Sequence, residues 1–143
     1  MIPFKRVFTE KNKTTGNIMI EVKNLRIGDL VRYEDHIVTV LGIHANGTIY
    51  FMDGKEEYHA DANMVDPIPL SYEFFSKNGW GIRQIDEHDF SIYKDDVYLE
   101  WCDTDNSYTY NDFYHFGYYI TLKYVHQLQH IFWVRGIKTR IRI

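Results

Sequence analysis

His126 and His130 stand four residues apart in a segment with helical periodicity, so their imidazoles share one face. That spacing is how a helix offers two nitrogen ligands to a metal. Yet Gln127 follows His126 where a metalloprotease helix carries its glutamate base, and spacing fixes no third ligand, with His115 and Asp112 the available candidates. The face continues through Gln129 and Trp133. Imidazoles, an amide and an indole hydrogen-bond well and lie flat against planar ligands. His126, Gln129, His130 and Trp133 are therefore candidate ligand-binding residues, the alternative being a helix packed on both sides. Tyr33 and Tyr50, on short strands near His36 and His44, form a second candidate group by fold-level analogy, because small barrels often bind single strands, peptides or modified side chains by stacking on such aromatics.

Other chemistry is poorly supported. Cys102 is the single cysteine, which excludes an internal disulfide, and its neighbours Asp103 and Asp105 give the thiol no reason to ionise. Asp95-Asp96 and Asp103-Thr104-Asp105 read as turns, since the latter lacks the glycine and distal glutamate of a calcium loop. The chain has no GxxxxGK[ST], GxGxxG or GxSxG segment. The expectation is a non-enzyme without cofactor or bound metal.

Something must position these residues, and 143 residues suffice for one domain or two small units. A chain of this length buries roughly 68% of its unfolded surface and needs no staple to fold. Aromatics make up 17% of the chain, which points to β structure or to a binding surface. No apolar run approaches the roughly 20 residues of a membrane span, and the N-terminus has no signal-peptide core, so a cytoplasmic location without membrane contact is expected. The formal charge of −4 is unevenly spread: residues 1–26 carry +4, residues 27–112 carry −13, and residues 113–143 carry +5. The basic ends either fold against the acidic middle or mark an interaction surface. An acidic middle argues against a nucleic-acid binder that uses its whole surface.

Residues 1–18 read as a polar extension, with Met19 an alternative start and a strand possible over 18–22. Residues 19–70 read as an SH3-like small barrel. Leu30-Val31-Arg32-Tyr33, Ile37 to Ile43 and Thr48 to Met52 are its strands, Glu34-Asp35, Asn46-Gly47 and Asp53-Gly54 its turns, and Pro67 and Pro69 its end. Residues 71–143 read as an α+β unit: a two-turn helix capped by Ser71, an antiparallel β-meander, then a helix over Thr121 to Val134 with Val125, Leu128, Ile131 and Phe132 in its core stripe. Gly136 stops that helix, and the alternating tail Ile137 to Ile143 suggests a short basic strand. The expected fold class is α+β, mostly β.

Three segments appear together in a known order: Leu25-Arg26-Ile27-Gly28-Asp29-Leu30-Val31, Pro67-Ile68-Pro69-Leu70-Ser71 through Gly79-Trp80, and Tyr124-Val125-His126-Gln127-Leu128-Gln129. Over about residues 20–136 the chain resembles a family of small proteins common in Bacteroidetes genomes, prophages and phages. Its members carry LRIGN.V, PIPLTEEWL.KFGF and YVHQLQNLYFALTG segments. His130 stands where the family usually has Asn, Arg135-Gly136 replaces Thr-Gly, and both the basic tail and residues 1–18 are additions. The resemblance implies this architecture and a phage or mobile-element setting, and supplies no activity. The reading is a non-catalytic binding module for a nucleotide-like small molecule, a nucleic acid or a host protein, with counter-defence as one version. The alternatives are an assembly protein forming homo-oligomers and, more remotely, a metal-dependent enzyme.

Overall fold

The computed structural model describes residues 24–84, 86–103, 106–112 and 118–143. The chain forms two compact units, Met1–Ile68 and Pro69–Ile143. The expected extension, the possible strand over 18–22 and His115 lie outside the described residues. The fold is α+β and mostly β, with a short helix and a C-terminal helix.

In the first unit, strands β1 (Leu30–Tyr33), β2 (His36–Ile43), β3 (Thr48–Asp53), β4 (Glu56–Asp61) and β5 (Val65–Asp66) pair antiparallel in the order β4-β3-β2-β1-β5. The sheet curls into a half-barrel. Alternation puts Val31, Tyr33, Val38, Val40, Ile49, Phe51, Tyr58 and Ala60 on the inner face, all buried. The Leu25 to Val31 segment enters β1 through a tight turn. The Asp29 carboxylate accepts from the Arg26 amide at 2.8 Å, and the Asp29 amide donates back to the Arg26 carbonyl at 3.1 Å. Gly28, at φ +99°, brings its amide to 2.7 Å from the Val40 carbonyl. Asp29 is only 2% exposed, so this carboxylate holds the turn.

In the second unit, helix α1 (Tyr72–Lys77) starts as expected: Ser71 Oγ accepts from the Phe74 amide at 3.1 Å. Strands β6 (Gly81–Gln84), β7 (Phe90–Lys94), β8 (Val97–Cys102), β9 (Ser107–Asp112) and β10 (Tyr118–Leu122) form an antiparallel meander in the order β10-β9-β8-β7-β6. Helix α2 spans Val125–Arg135, and Val125, Leu128, Ile131 and Phe132 are buried, the stripe read from the sequence. They share the unit's interior with Phe75, Trp80, Ile92, Val97, Leu99, Tyr108 and Tyr110.

Two boundaries differ from the sequence expectation. Thr121 and Leu122 belong to β10 rather than to the helix. Leu122 pairs with Tyr108 and is fully buried in the sheet, and this burial outweighs a helical start there. The helix begins where Gln127 Oε1 accepts from the amides of Lys123 (2.8 Å) and Tyr124 (3.0 Å). The tail 137–143 carries the expected alternation but is not a strand. Its first residue closes the helix, the Ile137 amide donating to the Phe132 carbonyl at 2.8 Å beside Gly136 at φ +69°.

A candidate aromatic binding cavity

The residues singled out from sequence divide between the two units, Tyr33 and Tyr50 in the first and His126, Gln129, His130 and Trp133 in the second. Tyr33 is 3% exposed and packs on Phe51 at 4.8 Å, inside the first unit's core and closed to ligand. Tyr50 is half-buried between His44 (5.0 Å) and His59 (5.5 Å). In the second unit, His126 and His130 do meet, with ring centroids 5.7 Å apart and planes at 73°. His126 is only 5% exposed and its ring lies parallel to Tyr124 at 6.0 Å, so the shared face is partly built into the unit. Gln129 is half-buried, and Trp133 is 73% exposed. Among the described residues no group of three His, Cys, Asp or Glu side chains is placed to hold a metal ion.

A different place in the second unit has the geometry of a binding site. A cavity of about 580 Å³ is lined by Pro69, Leu70, Ser71, Tyr72, Phe90, Trp101, Asn106, Tyr108, Lys123 and Tyr124. Its floor follows from strand register. Trp101 pairs with Tyr108, and Tyr108 pairs with Leu122, in one cross-strand row. Extending the β7–β8 register by one residue places Phe90 opposite Trp101, and the two rings lie within 23° of parallel at 5.8 Å. Trp101 and Tyr108 are 4.8 Å apart, and Tyr108 rests on Phe75 at 5.0 Å. The aromatic row is thus backed by core packing rather than free to turn.

The other wall is made where the chain passes from one element to the next. The Leu70 amide donates to the Lys123 carbonyl at 2.9 Å, and Pro69 bridges to Tyr124. These bonds place Ser71 and Tyr72 beside Lys123 and Tyr124.

Among the described residues that line it, Lys123 is the single cation and none is an acid. Burial pushes the Tyr108 phenol up to about 12 and the Tyr124 phenol upward as well, so both stay neutral at physiological pH. The arrangement offers ring stacking, hydroxyl and amide hydrogen bonds, and one positive charge.

The sequence reading missed this site, because Phe90, Trp101 and Tyr108 lie on three strands and Tyr124 on a fourth segment. The signal that would have found it is strand register, which aligns the three aromatics once the hairpin turns are fixed.

Among the described residues no helix is long and apolar enough to cross a membrane. Comparison with known proteins finds no matching family model, no matching curated protein and no matching solved structure.

Proposed function

We propose that the chain is a non-catalytic binding module whose ligand is a nucleotide-like molecule, a planar ring bearing an anionic group. The observation that carries this reading is the cavity of about 580 Å³ with an aromatic row, Phe90, Trp101 and Tyr108, and Lys123 as its cation. The volume falls within the range of roughly 300–1,000 Å³ for small-molecule sites. A nucleobase stacks on the indole and phenol rings, and the phosphate lies toward Lys123. Ser71 and Asn106 supply hydrogen bonds. The absence of phosphate-loop and hydrolase motifs from the sequence favours binding over turnover. The resemblance to phage and prophage proteins supplies the setting, in which sequestering a host nucleotide signal is the simplest role for such a module.

Native mass spectrometry tests it, with the intact chain incubated with a panel of nucleoside mono-, di- and triphosphates and with a bacterial small-molecule extract. The expected result is a retained adduct that Trp101→Ala abolishes. A bare wild-type protein under all these conditions overturns the reading.

A further inference from the structure

The opposite face of the same meander carries a second aromatic feature. Alternation points Gly81, Tyr93, Tyr98, Asn111 and Tyr119 away from the core. Register sets them in one row across the sheet: Gly81 pairs with Tyr93, Tyr93 with Tyr98, and Asn111 with Tyr119. Continuing the β8–β9 register by one residue places Asn111 opposite Tyr98.

Gly81 shows how Tyr93 lies. A Cβ there would collide with the Tyr93 ring at Cζ and Cε2. The ring therefore lies across the backbone of β6 and turns its other face to solvent. The neighbouring Tyr98 ring is within 28° of parallel to it, at 6.0 Å. Tyr93, Tyr98 and Tyr119 are 41%, 60% and 59% exposed. The next row on this face is Arg83, Ser91, Glu100, Thr109 and Thr121, hydroxyls with one cation and one anion.

We infer that this face binds a neutral oligosaccharide, its sugar rings resting on the Tyr93–Tyr98 platform and its hydroxyls reaching the polar row. The charge pattern selects the ligand. The row beside the tyrosines has no net charge, and the Asp95-Asp96 turn joins the two tyrosine strands. Among the described residues of this face, a polyanion such as single-stranded nucleic acid meets no cationic track. A pyranose has what the surface matches, an apolar C–H face for the ring and equatorial hydroxyls for serine, threonine and asparagine.

The test probes the intact protein against immobilised neutral gluco-, xylo-, manno- and galacto-oligosaccharides. The expected outcome is saturable binding of at least one, roughly tenfold or more weaker in Tyr98→Ala and retained in Tyr98→Trp, with circular dichroism unchanged. Tyr98 is exposed, so its truncation leaves the core intact. Gly81→Ala, which lifts the Tyr93 ring, weakens binding in the same direction. The inference is overturned if none of the sugars binds or if binding ignores Tyr98→Ala. Binding of oligothymidylate instead, or sedimentation showing that Tyr98 mediates self-association, overturns it as well.

Discussion

Asn78 and Arg142 hold each other by two reciprocal hydrogen bonds: Asn78 Nδ2 donates to the Arg142 carbonyl and the Arg142 amide donates to Asn78 Oδ1, both at 2.7 Å. The amide side chain thus stands in for a β-strand partner and fixes the end of a tail that pairs with no strand among the described residues. The same Asn78 Nδ2 donates to the Phe74 carbonyl at 2.8 Å, and Lys94 Nζ donates to the Asn78 carbonyl at 2.8 Å. One residue at the end of α1 therefore ties together helix, sheet and C-terminal tail.

Replacing Asn78 by Ala removes all three side-chain hydrogen bonds at a site only 9% exposed. The expected loss is about 2–3 kcal/mol in urea denaturation, since partners left unsatisfied cost more than a net bond contributes. Asn78→Asp loses as much or more, because its carboxylate faces the Phe74 and Arg142 carbonyls. Hydrogen exchange of the Arg142 amide reports the released tail directly.

Gly81→Ala places a methyl group where the Tyr93 ring lies, and Tyr93 must move. The colliding atoms are the far end of an exposed side chain that can swing into solvent, so the expected cost is small, about 0.5–1 kcal/mol. Gly81→Ala combined with Tyr93→Ala is milder than the sum of the two singly, because the collision is gone. A double-mutant cycle by thermal denaturation measures that coupling.

Tyr58 and Tyr108 make stability sensitive to alkaline pH. The hydrogen bond to Glu56 raises the Tyr58 phenol to about 12, and burial raises Tyr108 to about 12. Both bind their protons more tightly when folded, so their contribution is complete below pH 10 and is lost as pH rises toward 12. Stability measured across that window falls. Tyr108→Phe flattens the fall, and ultraviolet titration of the folded protein shows delayed ionisation of these two phenols.

Gln127→Ala removes the acceptor for the Lys123 and Tyr124 amides at the start of α2. A loss of about 1 kcal/mol is expected, the size of an N-terminal cap. If the cavity binds nucleotides, ligand affinity falls too, since those two residues form one of its walls.

The sequence by itself determined what local physics determines. Hairpin turns at Glu34-Asp35 and Asn46-Gly47, the Ser71 cap, the Gly136 stop and the buried stripe Val125, Leu128, Ile131 and Phe132 all follow from conformational preference and periodicity within a few residues. Their neighbours in space are their neighbours in sequence, so composition and spacing suffice. The tertiary structure alone decided which aromatics share a surface. Tyr33 carries the same residue type as Tyr98, yet one lies in the core of a curled sheet and the other on an exposed face. Phe90, Trp101 and Tyr108 become one cavity floor only when three strands take their register, and Leu122 leaves the helix because the sheet buries it more fully. Register and burial are non-local quantities, set by packing free energy summed over distant segments, and they are not contained in any window of the chain.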